Sequence, residues 1–170
     1  SLRFDANGNA VLKRTPGSSG NRRKWTWSAW VKRSRLGYRA SNTEEVLFAS
    51  NGTSDATNAQ IQFGEHDDLQ LLMGYPSHDL KSLEEFRDVS AWYHFVVACD
   101  VGQGTASDKV KMYVNGKEVE GYRTDQRSDY TDQDWAFCAN QEHCIGDKGA
   151  SNRPFTGKIA NIHFIDGTMC

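Results

Sequence analysis

The sequence predicts an all-β fold, either a β-sandwich or a jelly roll. Apolar and polar residues alternate in many short runs, and turns rich in Gly and Asn separate these runs at intervals of roughly 8 to 15 residues. No stretch shows the periodicity of a long helix. Alternation buries one face of each strand, and many such strands in one chain indicate an all-β sandwich or a jelly roll.

The clearest element is the stretch DKVKMYVNGKEVEG, residues 108–121. Val110, Met112 and Val114 alternate with other residues, and an Asn-Gly pair follows them directly. A type I′ turn needs positive φ at both central residues, and Asn-Gly is strongly preferred there. We therefore expect a β-hairpin that turns at Asn115.

Two longer runs are predicted to supply the core. One face of KWTWSAWVKR carries Trp25, Trp27, Ala29 and Val31, and one face of WYHFVVACD carries Tyr93, Phe95, Val97 and Cys99. The indoles of Trp25, Trp27 and Trp92 are assigned to the core, because the burial of such rings is a main stabilising contribution.

The remaining segments are short strands and loops. EVLFAS, AQIQFG, LQLLMG, HCIGD and KIANIHFID read as further strands, and Leu80 to Phe86 is predicted to form a single helical turn. RTPGSSGNRR and the stretch from Glu120 to Gln133 are long polar connections. Loops of this kind are where a rigid sandwich usually carries binding function.

Size and charge restrict the class of protein. The chain has 170 residues and a net charge of −2, which indicates one domain, residues 1–170, without the basic excess expected for partners such as nucleic acid or an anionic membrane. It has no apolar run that could span a membrane and no visible signal peptide.

Two basic clusters, Arg22 to Lys24 and Lys32 to Arg35, form either a solvated face or a contact for phosphate or a sugar acid. The start at Ser1 and the end just after a strand suggest one part of a longer chain.

The four cysteines do not form a Cys-x-x-Cys pair, which argues against a zinc ribbon. Cys99 lies in an apolar strand and is expected in the core. Cys138 and Cys144 flank ANQEH and could face each other across a hairpin, where either a disulfide or two free thiols would fit.

Several phrases resemble, in order, one family. TWSAWVKR is similar to the early strand of laminin-G-like, concanavalin-A-like jelly rolls, and SAWYHFVVACD with KVKMYVNGKEV resembles that family's Trp-Tyr-His strand and Asn-Gly hairpin. IGDKG and RPFTGKIANIHFIDG resemble its closing strand. The opening SLRFDANGNAVLKRTPGSSGNRRKWTWSAWVKR and the closing HFIDG look most like laminin-G-like domains of bacteriophage and other viral structural proteins, such as tail fibres and capsid-surface proteins. The resemblance implies an all-β jelly-roll sandwich, with two antiparallel sheets packed face to face, and function has to be argued from the site.

Catalysis is not expected. Glycosidases of this fold need paired carboxyls, with a motif close to Glu-x-Asp-x-x-Glu on one strand, and the sequence lacks that motif. Its nearest pair, Glu118 and Glu120, follows a hairpin turn. Gly-x-Ser-x-Gly is also absent. We predict no catalytic residues and no enzymatic activity.

A calcium site is one candidate. The resemblance implies that some members hold calcium at the rim of the sandwich, with loop carboxylates and carbonyls as ligands. Asp67, Asp68 and Asp147 are the candidate ligands here. The alternative is that they are solvated loop carboxylates, because their spacing does not identify a site.

A sugar site is the other candidate. Sugars stack on exposed aromatic rings while amides and carboxylates take their hydroxyls. Tyr75 with His78, and Trp135 with Asn140, are aromatic residues with polar neighbours. For Trp135 three roles stay open: edge of the core, anchor of an interface, or ligand platform.

Two functions follow from these observations. The first is a non-enzymatic structural or attachment domain on a virion surface, of the capsid-surface or tail-fibre type, which packs against copies of itself or other virion proteins and contacts host glycans. The second is a carbohydrate-binding lectin module of a bacterial surface or secreted protein.

Overall fold

The computed structural model describes residues 1–5, 10–37, 44–51, 58–74, 78–148 and 153–170. Within them the chain forms two antiparallel sheets, of six and seven strands, with little helix, which confirms the predicted all-β sandwich. The strands are β1 Leu2–Phe4, β2 Leu12–Arg14, β3 Lys24–Arg33, β4 Glu45–Asn51, β5 Ala59–Phe63, β6 Asp68–Met73, β7 Asp79–Glu85, β8 Tyr93–Asp100, β9 Val110–Val114, β10 Lys117–Glu118, β11 Tyr122–Asp125, β12 Glu142–Ile145 and β13 Gly157–Asp166. A four-residue helix, α1 Ala106–Lys109, precedes β9, and a 3₁₀ turn covers Arg127–Asp129.

The first sheet has the order β1-β13-β3-β8-β9-β10, and the second has the order β11-β7-β6-β5-β4-β12-β2. The alternation of β3 is as predicted, with Trp25, Trp27, Ala29 and Val31 buried between the sheets. The Trp25 ring meets the Phe137 ring edge-on at 4.9 Å between centroids. Aromatic pairs of this geometry add to the stabilisation from burial.

The predicted hairpin is confirmed. Asn115 has φ 51° and Gly116 has φ 82°, and Lys117 pairs with Val114 across the turn. The Asn115 side-chain oxygen also accepts a hydrogen bond of 2.9 Å from the His94 backbone N–H. The turn is thereby tied to β8, the next strand of the sheet.

Three local predictions are wrong. The expected helical turn from Leu80 to Phe86 is strand β7, with Leu80 facing the core. The expected loop from Glu120 to Gln133 contains strand β11, which pairs with β7. Trp92 is 36% exposed and does not belong to the core, because it lies just before β8.

The outer face of the second sheet is polar yet buried. Gln60, Gln62 and Gln70 are almost inaccessible to solvent, and the Gln62 amide donates a hydrogen bond of 2.9 Å to Gln70. The Gln70 amide in turn donates to Asp79 at 3.1 Å. This bonding partly offsets the cost of removing the amides from water.

The sandwich opens along one side. Strand β2 is an edge of the second sheet. Among the described residues, β13 pairs with β1 only over Gly157–Ile159, so its second half is an edge of the first sheet. The two free edges border a cleft between the sheets. Among the described residues no helix is long and apolar enough to cross a membrane.

Candidate binding cleft

The cleft has a volume of about 380 Å³, which lies within the range of small-ligand sites. Its walls come from β2, β12 and β4 on one side and from β13 on the other, with the loop between β2 and β3 at one end. The side chains that matter chemically are Arg14, Phe48, Cys138, His143, Phe164 and Asp166.

Aromatic rings form the apolar wall. Phe48 stacks on Phe137 at 5.1 Å and lies 5.0 Å from Phe164, between ring centroids. Phe48 and Phe137 are buried, whereas Phe164 is half-buried and lines the cleft. The core therefore continues into the cleft and ends at the ring of Phe164.

His143 adds a hydrogen-bond acceptor to this wall. Its Nδ1 lies 2.9 Å from the Gln141 carbonyl oxygen, so Nδ1 carries the proton and Nε2 is the acceptor. Nε2 is buried and has no hydrogen-bond partner among the described residues, although the whole residue is 9% exposed. Burial lowers the pKa of His143, which keeps the ring neutral and the Nε2 lone pair free.

Asp166 supplies a carboxylate at the opposite wall. Its Oδ1 accepts a 2.6 Å hydrogen bond from the Asn21 backbone N–H. A Cβ at position 20 would overlap the carboxylate, so the Asp166 side chain would have to shift if any other residue replaced Gly20. Burial, with a further contribution from Asp166, raises the pKa of the Cys138 thiol to about 12. Cys138 is therefore a protonated neighbour of the carboxylate and not a nucleophile.

The rim of the cleft carries two basic side chains, Lys13 and Arg14. Lys13 pairs with Glu142 at 3.2 Å. Arg14 is exposed and lies directly opposite His143 in the pairing of β2 with β12. The cleft thus joins an aromatic ring, an imidazole acceptor, a carboxylate and a guanidinium.

Two of the sugar-site residues predicted from the sequence, His78 and Trp135, do not line this cleft. Trp135 is 4% exposed, with its ring 4.7 Å from that of His78 and 5.8 Å from that of Tyr130. Its indole N–H donates to the Thr131 carbonyl at 3.2 Å. The structure therefore brings His78 and Trp135 together, and of the three roles left open for Trp135 it favours the edge of the core.

The other two predicted sugar ligands are Tyr75 and Asn140. Tyr75 lies outside the described residues. Asn140 is exposed in the segment that follows Cys138, and its backbone N–H donates a 2.9 Å hydrogen bond to the Ser19 hydroxyl. Asn140 thus holds the loop that closes one end of the cleft.

Asp67, one of the predicted calcium ligands, is held by basic side chains, and its role as a ligand stays a prediction. It is buried, and its carboxylate lies 2.8 Å from Arg33 and 3.4 Å from Arg87. It also accepts the Gly37 backbone N–H at 2.7 Å. Two guanidinium groups offset its charge, which weakens its attraction for a cation.

Asp68 and Asp147 do not complete a site with it. Asp68 is buried, which raises its pKa, and Arg123 is 4.0 Å away. Asp147 accepts the backbone N–H groups of Lys148 and Arg153. Among the described residues no group of three or more His, Cys, Asp or Glu side chains is arranged to hold a metal.

The disulfide is also not formed. All four cysteines lie in the described part of the chain and are free. Cys138 lines the cleft between the sheets. Cys144 lies opposite Ala49, and its neighbour His143 takes the cleft side of β12. Because successive residues of a strand point to opposite faces, Cys144 is on the other side of the sheet.

The comparisons with known proteins agree with this architecture. A laminin G family model described as the concanavalin A-like lectin/glucanases superfamily matches residues 5–169. The chain belongs to this superfamily. No curated protein matches it.

Solved structures with a similar fold come from several organisms. A heptameric SAP-like pentraxin from Limulus polyphemus is 14% identical, with a TM-score of 0.62 over 95% of this chain and 73% of the pentraxin. Domain 4 of the extracellular arabinanase AbnA from Geobacillus stearothermophilus, in complex with arabinotriose, is 18% identical, with a TM-score of 0.60 and coverage of 96% and 78%. The CBM40 of the Ruminococcus gnavus IT-sialidase, bound to α2,3 sialyllactose, is 13% identical, with a TM-score of 0.58 and coverage of 94% of each chain. At these identities the likeness shows the fold.

Proposed function

We propose that this domain is a non-catalytic, lectin-type carbohydrate-binding module and that the cleft between β2 and β13 holds the sugar. The observation that carries the proposal is the pairing of an aromatic wall with two acceptors, His143 Nε2 and the Asp166 carboxylate, in one open cavity. Membership of a superfamily that includes lectins supports it.

The chemistry of the cleft suits a pyranose or furanose ring. A sugar presents C–H groups on one face, which pack on an aromatic ring such as Phe164, and hydroxyls around its edge. A hydroxyl that donates to His143 Nε2 satisfies a buried acceptor that otherwise has no partner among the described residues. Asp166 accepts a second hydroxyl, and Arg14 donates to a ring or glycosidic oxygen.

The similar structures support this class of ligand without specifying one. The arabinanase domain holds arabinotriose and the sialidase module holds sialyllactose. Those ligands belong to those proteins. For this chain the neutral imidazole and the single carboxylate favour a hydroxyl-rich, uncharged sugar in the cleft.

The test is a glycan array followed by titration calorimetry on the strongest hit. Phe164→Ala and His143→Phe should each weaken binding about tenfold, because each removes a contact of about 1.4 kcal/mol. Leu83→Ala is the matched control, since Leu83 is an exposed apolar residue of β7 that lies outside the cleft. If no glycan binds, or if the cleft variants bind like the control, the proposal fails.

The attachment role on a virus particle stays a prediction from sequence resemblance. Peptides of this domain in purified particles, at high copy number by mass spectrometry, would support it. Peptides confined to the cell envelope or secreted fraction would favour a free or surface-bound lectin module.

A further inference from the structure

A row of three cations crosses the outer face of the first sheet. Arg3 of β1 lies directly opposite Lys158 of β13, and Lys158 lies directly opposite Lys32 of β3. Directly paired residues share a face, and adjacent strands lie about 4.8 Å apart. The Cα atoms of three basic residues therefore lie side by side within about 10 Å on one face of the sheet. We call Arg3, Lys158 and Lys32 the cation row.

The cation row has no acidic partner within ion-pair distance among the described residues. The Asp88 carboxylate interacts electrostatically with Lys32, but it accepts its hydrogen bonds from Ser90. The other basic residues of the two clusters noted in the sequence form ion pairs with carboxylates. Arg23 pairs with Asp134 at 2.9 Å.

Three more basic residues of these clusters also form ion pairs with carboxylates. Lys24 pairs with Asp100 at 2.7 Å, and Arg33 and Arg35 both pair with Glu45. Lys32 is the member of its cluster that contributes to the cation row.

Like charges placed directly opposite on neighbouring strands repel each other. A row of three on three successive strands lowers the stability of the sheet. An anionic ligand would offset this repulsion, so the three cations are better explained as a binding surface than as a contribution to folding stability.

An exposed aromatic residue lies next to the cation row. Trp30 is two residues before Lys32 on the same face of β3, and 40% of it is exposed. Its partners across the sheet are Ala160 and His94. The His94 ring lies 5.1 Å from the indole at an interplanar angle of 35°. The indole is therefore in contact with His94 on β8, and its neighbour on β13 is the small Ala160.

We propose that this outer face is a second glycan-binding surface that takes an acidic polysaccharide, one with carboxylate or sulfate groups. The sugar ring packs on Trp30, and its acidic group is held by Lys32, Lys158 and Arg3. This surface lies on the far side of the first sheet from the core and uses no residue of the cleft. It does not depend on the function proposed for the cleft.

Charge favours a polysaccharide over nucleic acid. A nucleic-acid-binding domain is expected to be basic overall, with a pI above 9, whereas this chain has a net charge of −2 and a pI of about 6.2. Three cations suit a polymer whose charges are spaced more widely than those of duplex DNA, which carries one charge per about 1.7 Å.

The experiment is affinity electrophoresis of the whole chain in gels that contain polygalacturonate. Lys158→Glu should weaken binding about tenfold, and Trp30→Ala should weaken it to a similar degree. Lys117→Glu is the matched control. It makes the same charge change on β10, at the opposite edge of the same sheet, and should leave binding within about twofold of wild type.

Folding is checked in the same variants. Lys158→Glu places a carboxylate between two cations, so its thermal midpoint should equal or exceed that of wild type. If a variant loses binding while its thermal midpoint is unchanged or higher, the loss therefore comes from the altered surface and not from unfolding. Affinity should also fall as NaCl rises from about 50 mM to about 300 mM, since exposed charges are screened.

Three results would overturn the proposal: no retardation by polygalacturonate, equal loss in Lys158→Glu and Lys117→Glu, or equal binding to an oligodeoxythymidylate. Phe164→Ala should bind polygalacturonate like wild type. A failure at the cation row can thus be told apart from a failure of the cleft.

Discussion

At the scale of single residues, Arg33 connects several strands through buried ion pairs. The side chains of Arg33, Glu45 and Asp67 are fully buried, and the guanidinium reaches both carboxylates, at 3.0 Å and 2.8 Å. It also donates to the Phe86 carbonyl and lies 4.1 Å above the ring of Phe63. One cation therefore joins β3, β4 and the β5–β6 hairpin.

Arg33→Met should be among the most destabilising single changes in this protein. It leaves two buried carboxylates without their main cation, and the loss of one partner of such a group costs about 3–5 kcal/mol. Arg87→Met, which removes the half-exposed second cation from Asp67, should cost about 1 kcal/mol. Urea unfolding curves of both variants measure the difference, and equal midpoints would show that the buried network does not stabilise the fold.

His143 makes stability depend on pH. Burial lowers its pKa below the ordinary value of 6.5. Between that lowered pKa and 6.5 the unfolded chain binds a proton that the folded chain does not, so acidification through this window reduces the free energy of unfolding.

The comparison is between wild type and His143→Gln, by urea unfolding at about pH 7.5 and about pH 5.5. Wild type should lose more stability on acidification than the variant, by at most about 1.4 kcal/mol per pH unit. A parallel loss in both proteins would mean that His143 is not the group that titrates.

At the scale of elements, the Asn115-Gly116 hairpin shows what local sequence can determine. Turn chemistry and alternation both act within a few residues, so the pattern predicts β9, the turn and β10. The strand β7 shows the opposite case. Nothing in Leu80 to Phe86 distinguishes a strand from a helical turn until β6 and β11 pair on its two sides.

Gly116→Ala should destabilise the hairpin by about 1–2 kcal/mol, since φ at this position is 82° and a side chain there is strained. An added Cβ meets no neighbouring atom within 4 Å, so the effect is one of backbone conformation. Gly104→Ala is the matched control, because it has equally open surroundings and no positive φ. Thermal unfolding of the pair measures the difference, and equal midpoints would contradict the turn assignment.

At the scale of the whole molecule, the cleft exists because two edges belong to different sheets. β2 and the second half of β13 come from opposite ends of the chain and meet only when the sandwich closes. A ligand that binds the cleft therefore binds the folded state and not the unfolded chain.

Ligand binding should raise stability by mass action. At a free glycan concentration of 100 times Kd, the free energy of unfolding should increase by about 2.7 kcal/mol in wild type. Phe164→Ala at the same concentration should gain clearly less, because its Kd is larger. Differential scanning calorimetry with and without the glycan measures both gains, and an equal gain would place the ligand outside the cleft.

Sequence alone determined the features that depend on neighbours along the chain. Alternation predicts the buried face of β3, and an Asn-Gly pair predicts the hairpin. Only the tertiary structure decided which residues meet across the sandwich, because burial and charge pairing depend on contacts between distant segments. It buries Trp135 and exposes Trp92, pairs Asp67 with Arg33, and puts Cys144 on the far side of the sheet from Cys138. His143 and Phe164 become cleft residues for the same reason, since each is an ordinary strand residue until the two sheets close around it.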